Sequence, residues 1–327
     1  MLHYPLAASP MTDEPTSLDN AANAPATPTT RAGVVALIGR ANVGKSSLLN
    51  AILGEKVSIV SPVAQTTRNI VRGILTDPRG QLVFHDTPGI HKAVGPLGRV
   101  MNRLARSAAE GADVALLVLD AHAPPREEDL GWMKKLHKET LPIVAALNKM
   151  DLGGRYAGEL RASWAAAKPF DAVERPSPIW VEVSAVTGQG LDELVATLFR
   201  SVPEGPLLFP EDILTDYPRK LAIADIIREK LFAELRDELP HAVAVWVEEL
   251  DDSSDPWRVR ALIYVRKNSQ KGIVIGEKGR LLRKVRRAAE TELQAIYDHP
   301  VSLDLWVKVE PKWDQNYWLL KQFGYVK

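Results

Sequence analysis

Along this chain, short and almost wholly apolar runs alternate with stretches of helical spacing. The first run, GVVALIG (residues 33–39), is apolar up to its closing glycine and predicts a central strand buried on both faces. A glycine-rich turn follows, and SSLLNAIL (46–53) then has helical spacing and stops at Gly54. Residues 70–76 and 81–85 flank the turn sequence DPRG and predict an antiparallel pair at a sheet edge. VALLVLD (114–120), LPIVAALN (141–148) and IWVEVSA (179–185) predict three further buried strands. Helical patterns cover 98–110, 127–139, 159–167 and 191–201. This alternation predicts an α/β fold with a mostly parallel sheet wrapped on both faces, which binds ligands at the carboxyl ends of its strands.

A proline-rich stretch at 203–218 breaks the pattern and predicts a linker. Beyond it the order changes: a helix at 220–236, strands at 241–249 and 258–266, helices to about 296, and a strand at 301–309. That order predicts a second, α+β domain at 219–327, after a first domain at 31–202. Residues 1–30 are rich in Pro, Ala and Thr without periodicity and predict a disordered tail.

Composition narrows the classes of function. With 41 basic and 41 acidic residues among 327, any preference for a polyanion must be local. The absence of cysteine removes disulfides, zinc thiolate sites and thiol catalysis, and fits a reducing compartment. No apolar run reaches the ~20 residues of a membrane-spanning helix, and the N-terminus lacks a secretory signal. A soluble, cytoplasmic chain is expected.

The chemistry lies at the predicted strand ends. GRANVGKS, spanning Gly39, Arg40, Ala41, Asn42, Val43, Gly44, Lys45 and Ser46, fits the phosphate loop GxxxxGKS between a strand and a helix. Its main-chain NH groups would cradle phosphates, Lys45 would reach the outer ones, and the Ser46 hydroxyl would ligate magnesium. DTPG (Asp86, Thr87, Pro88, Gly89) ends the hairpin strand. Asp86 is placed to hold a magnesium water and the Gly89 NH to sense the terminal phosphate. NKMD (Asn148, Lys149, Met150, Asp151) selects the base. Asp151 can accept two hydrogen bonds from guanine, whereas adenine would leave that carboxylate unpaired, so GTP is favoured over ATP. Asn148 either braces the loop or contacts the base, and the Lys149 stem lies against it. In SAVTG (184–188), Ser184 and Ala185 close the site, with the Ala185 NH toward guanine O6. In QTTR (65–68), Thr67 is assigned to complete magnesium coordination when the terminal phosphate is present.

The second domain carries GIVIGEKGRLLRKVRR (272–287), whose GxxG, Gly276 to Gly279, joins two helical stretches in the geometry that clamps single-stranded RNA. From Arg266 to Arg287 nine basic residues face one acid, a local +8 in a neutral protein. The RNA-contact candidates are Lys271, Gly276, Glu277, Lys278, Gly279, Arg280, Arg283, Lys284 and Arg287. Glu277 places an acid inside the clamp, where it should weaken phosphate contact. Trp313, Tyr317 and Trp318 are spaced either to stack on bases or to cap the domain core.

These motifs in this order resemble the translation-factor-like GTPases, and within them the Era-like family with its C-terminal type II KH domain; the resemblance covers about nine tenths of the chain. It implies a magnesium-dependent GTPase, binding GTP and GDP, that acts with the 30S ribosomal subunit near the 3′ end of 16S rRNA. It also implies a weak link to the inner membrane surface, and a monomer is expected. Ile90, after DTPG, cannot orient the attacking water as a glutamine does in many GTPases. Asn42 resembles the asparagine that helps bind potassium in related GTPases, and Asn42 with Thr66 is the candidate potassium site. Lys45, Thr67, Gly89 and Asn42 are therefore the catalytic candidates. Two other classes compete: a passive RNA-binding scaffold with a structural nucleotide, and an ATP-using kinase, against which NKMD argues.

Overall fold

The computed structural model describes residues 30–63, 66–89, 95–169 and 177–326. The predicted tail, Gln65 and Ile90 lie outside the described residues, apart from Thr30 at the tail's end. The first half runs β1 (Arg31–Ile38), α1 (Lys45–Leu53), β2 (Val71–Asp77), β3 (Gly80–Asp86), α2 (Gly95–Glu110), β4 (Val114–Asp120), α3 (Glu127–Leu136), β5 (Ile143–Asn148), α4 (Ala157–Ala166), β6 (Ile179–Glu182) and α5 (Leu191–Ser201). Its six strands lie in the order β2-β3-β1-β4-β5-β6. All neighbours are parallel except β2 and β3, which form the expected hairpin with Val71 opposite Asp86 and Asp77 opposite Gly80.

Alternation along β1 explains why the apolar run has no polar face. Val35 and Leu37 enter a core under α1 and α5, while Ala36 and Ile38 enter a second core under α3 and α4. A strand covered on both sides must be apolar at every position. β6 departs from expectation. It ends at Glu182 because the Ser184 NH turns to the Gln189 carbonyl (3.0 Å), and as an edge strand it buries only Val181.

The proline-rich stretch is pinned rather than loose. The Gln81 carboxamide accepts from the main-chain NH groups of Leu208 and Phe209 (2.8 Å each), and the Ile74 NH donates to the Leu214 carbonyl (2.8 Å). The segment thereby covers the exposed edge of β2, which would otherwise offer unpaired backbone groups.

The second half comprises α6 (Arg219–Glu234), α7 (Leu239–Ala242), β7 (Ala244–Asp251), β8 (Trp257–Val265), α8 (Asn268–Ile275), α9 (Arg280–Tyr297), β9 (Val301–Val309) and α10 (Tyr317–Gln322). The strand expected from residue 241 starts later, because the turn α7 with Pro240 near its start precedes it. β7 and β8 pair antiparallel, while β8 and β9 pair parallel. One sheet face packs on α6, α8 and α9; Val274 is buried there, and Ile273 is half exposed.

The other sheet face is covered by the C-terminal segment. Trp313, Leu320, Phe323 and Tyr325 pack on Ala244 and Tyr264, and the same cluster takes in Leu97 and Met101 of α2. Trp313 therefore belongs to the core, with its indole NH donated to the Ala242 carbonyl (2.9 Å), whereas Tyr317 and Trp318 are exposed. No helix among the described residues is long and apolar enough to cross a membrane.

Candidate nucleotide site and RNA interface

The carboxyl ends of β1, β3 and β5 deliver the phosphate loop, DTPG and NKMD to one end of the sheet. Gly44 caps α1 at φ +97°, and a Cβ there would lie 2.4 Å from the Asn148 carboxamide nitrogen. Only glycine tolerates both the angle and that approach. Asn148 uses this space to brace the site: it donates to the Val43 carbonyl (2.9 Å) and accepts from the Ala185 NH (3.1 Å). The Ala185 NH, expected to face guanine O6, is thus committed to Asn148 here. Asp151 is exposed, with one carboxylate oxygen accepting from the Ser184 hydroxyl (2.6 Å).

Sequence reading missed the charge network behind these loops. The Arg40 side chain points away from the phosphate cradle, to Asp129 (3.0 Å) and Asp120 (3.4 Å), so only its main chain is available to a nucleotide. Lys149 donates to the same Asp120 (2.7 Å) and to the Asn42 carbonyl (2.9 Å). Asp120 ends an apolar strand at the sheet's ligand edge, a positional signal available in VALLVLD. Asp129 had none, because its partner is 89 residues away. Val43 is core, the Thr87 hydroxyl is donated to the Leu37 carbonyl (2.7 Å), Pro88 is buried and Met150 is partly buried.

The metal candidates converge. Ser46 Oγ lies 2.5 Å from Asp86 Oδ2 and 3.0 Å from Thr67 Oγ1, and Ser58, another residue the sequence did not flag, donates to the same Asp86 oxygen (2.7 Å). Asp86 Oδ1 is buried without a hydrogen-bond partner. Burial pushes the Asp86 carboxyl above its usual range, against the pull of Lys45 and the two serine hydroxyls. Hydroxyl and carboxylate oxygens around an orphaned acceptor are a donor set suited to a hard divalent cation. A cavity of ≈ 60 Å³ opens beside them, bounded by the phosphate loop, residues 59–61, Thr66, Thr67 and Gly89. Lys45 caps it, donating to the Gly39 (3.2 Å) and Arg40 (3.0 Å) carbonyls, and burial lowers its pKa to about 8.

The potassium candidates are engaged locally. The Asn42 amide, on a residue at φ +62°, donates to the Pro62 carbonyl (2.8 Å), and the Thr66 hydroxyl donates to the Val63 carbonyl (2.6 Å). Both nevertheless border the phosphate cavity.

At the opposite half, Gly276 (φ +72°) and Gly279 (φ +74°) bracket a 3-10 turn between α8 and α9. A Cβ on Gly276 would lie 2.8 Å from Leu281 Cβ. The expected +8 patch is partly neutralised. Glu277 ion-pairs with Arg280, Lys284 with Glu234 (2.8 Å), Arg266 with Asp314 (3.0 Å) and Arg286 with Glu290 (3.9 Å). Glu277 is therefore matched inside the clamp rather than opposing phosphate alone, at the expense of Arg280. Lys267, Lys271, Lys278, Arg283 and Arg287 have no ion pair among the described residues.

This arrangement defines a class: a phosphate-loop GTPase fused to a KH domain. Residues 34–149 match the family described as 50S ribosome-binding GTPase, and residues 238–314 match the KH domain family. GTPase Era of Geotalea uraniireducens is 42% identical over 297 residues, spanning 90% of this chain and 98% of that protein. GTPase Era of Rippkaea orientalis is 39% identical over 295 residues, spanning 90% and 92%. A crystal structure of Era with MgGDPNP and nucleotides 1506–1542 of 16S ribosomal RNA is similar at TM-score 0.82 and 37% identity, covering 91% of this chain and all of that one. Aquifex aeolicus Era, as a variant bound to GDP and AlF4-, gives TM-score 0.81 and 36% identity over the same shares. The chain belongs to the Era GTPase family.

Two outcomes follow from the electrostatics. Polyphosphate should restore the charge on Lys45, so binding at pH 8 takes up about half a proton and at pH 6.5 almost none from this group. Affinity should fall as pH rises through 8 to 9; calorimetry in buffers of different ionisation enthalpy measures the uptake, and a flat profile contradicts it. For RNA, Lys278→Ala and Arg283→Ala should each lower affinity and reduce the salt slope by ~0.7. Lys284→Ala, which removes a cation already paired with Glu234, should change the slope by less than half as much in the same filter-binding titration.

Proposed function

We propose that this chain is a GTP-hydrolysing switch that binds ribosomal RNA near the 3′ end of 16S rRNA and assists assembly of the 30S subunit. The carrying observation is the meeting of Ser46, Thr67 and Asp86 oxygens at the phosphate loop, on a segment whose continuation packs against the KH half. The family relative solved with MgGDPNP and a 16S rRNA fragment supports the same ligands here. The assigned domains are residues 31–202 for GTP, 203–218 as connection and 219–327 for RNA.

In this reading Ser46 and Thr67 supply hydroxyl ligands to magnesium and Asp86 holds one of its waters. The metal supplies charge neutralisation between the outer phosphates. Lys45 and the Gly89 NH hold the terminal phosphate, and Asp151 and the Lys149 stem recognise guanine, joined by the Ala185 NH when it exchanges Asn148 for the base. None of the described residues near the cavity is a free general base, so catalysis is positioning and electrostatics. A chain neutral overall engages RNA through its local cationic face, in keeping with a cytoplasmic place of work.

The decisive measurement is the affinity for a 16S 3′-end fragment with GDPNP and with GDP. Tighter binding with GDPNP is expected, and equal binding would reduce the chain to a passive RNA-binding scaffold. If Asn42 helps hold a monovalent cation, GTP turnover should be several-fold faster in potassium than in sodium buffer of equal ionic strength; equal rates remove that site.

A further inference from the structure

The residue after Thr67 leaves the nucleotide domain altogether. Arg68 is 1% exposed; its guanidinium donates to the Val243 (2.8 Å) and Pro240 (3.1 Å) carbonyls at the α7–β7 junction. It sits 5.6–6.0 Å from the ring centroids of Phe232, Trp313 and Tyr325. A second arginine returns the contact. Arg228 of α6, also 1% exposed, donates to the Thr66 carbonyl (2.9 Å) and the Tyr325 hydroxyl (3.1 Å) and pairs with Asp225 (2.8 Å). The peptide linking Thr66 to Thr67 is thus held from behind by a cation belonging to the RNA-binding half.

The surrounding contacts keep this grip local. Ile59 is buried in the KH core, and Glu229, next to Arg228, accepts from the Val60 NH (2.8 Å) and from Lys56 (2.7 Å). On the far side of this strip the two halves are separated by a cavity of ≈ 520 Å³ between residues 55–59, 214–217 and Tyr297. Among the described residues the halves meet through these polar contacts, through Ile59 and Val63 against the KH core, and through Leu97 and Met101 against the C-terminal cluster. Burying two arginines in such a place is costly: the terminal nitrogens of both are paired, but Arg68 Nε and Arg228 Nε are buried without a hydrogen-bond partner, so their placement depends on those terminal contacts.

We infer that Arg68 and Arg228, sealed by the Tyr325 hydroxyl, are positioning residues that hold Thr67 at the metal site and make its placement depend on the KH half. Arg228 and Tyr325 come from the second half, so the GTP-sensing threonine is set in part by residues outside the nucleotide domain. Linkage then makes the effect reciprocal: whatever RNA does to the KH half is felt as a change in GTP affinity, and GDP, which lacks the terminal phosphate, is spared. This inference rests on the assignment of Thr67 to magnesium in the GTP state.

The test uses the full chain with Tyr325→Phe, which keeps the ring, and Arg228→Lys, which keeps the charge. GDP affinity should stay within about twofold, while GDPNP affinity and kcat fall about 5- to 10-fold, the lower part of the usual range for coupled sites. Adding the 16S 3′-end fragment should tighten GDPNP binding in the wild type and change it less than twofold in the variants. A merely structural role would lower the melting temperature and leave the GDPNP-to-GDP preference intact; that result in a folded variant overturns the inference. Should Arg228→Lys fail to fold, Tyr325→Phe decides alone. A wild type whose GDPNP affinity ignores RNA defeats the switch reading, while the variants' preference without RNA still tests the positioning.

Discussion

A buried, incompletely balanced pair of charges organises the nucleotide end of this protein. Asp86 ends β3 with no exposure to solvent, and Lys45 opens α1 almost as deeply buried. Burial pushes the carboxyl up and the ammonium down, and each partly stabilises the other. The two serine hydroxyls satisfy one carboxylate oxygen and leave the other without a partner. A site so arranged is most stable when polyphosphate and a divalent cation complete it. The energetic cost of hiding these charges is therefore a source of ligand affinity as well as of specificity.

The RNA end follows a different economy. A neutral chain gains no long-range attraction for RNA from its total charge, so its affinity must come from a few well-placed cations and from close backbone approach at GxxG. Local acids engage four of the nine cations in residues 266–287, leaving the remainder at the start of α8 and on α8, the clamp and α9. That restraint favours a defined RNA path over diffuse attachment to any polyanion. Between the two ends, the C-terminal aromatics touch both the KH sheet and α2, the helix that follows DTPG. The segment carrying Thr67 and the helix after DTPG thus both border the RNA-binding half.

Much of this was legible in the amino-acid order. The phosphate loop, DTPG and NKMD are local, because each needs a particular backbone at a strand end, and the apolar runs that place them are covered on both faces. β9 and α5 even have the bounds their patterns predict. Less local features were not legible. β6 looked buried but is an edge strand, since the seven-residue run IWVEVSA cannot report how many neighbours its sheet gives it. Likewise, residues 266–287 alone carry +8, because their partners Glu234, Glu290 and Asp314 lie outside that segment.

By itself, then, the sequence determined the nucleotide chemistry, the two-part architecture and the presence of an RNA clamp, all written in contiguous motifs whose physics is short-range. Tertiary structure decided which charges remain available, that Arg40 braces acids instead of phosphate, and that Trp313 is core. It also decided the use of Arg68, which in QTTR is one more loop cation. Only the fold brings it to carbonyls some 175 residues away and sets Arg228 behind Thr66. Pairing of this kind depends on where distant segments end in space, and no local pattern encodes it.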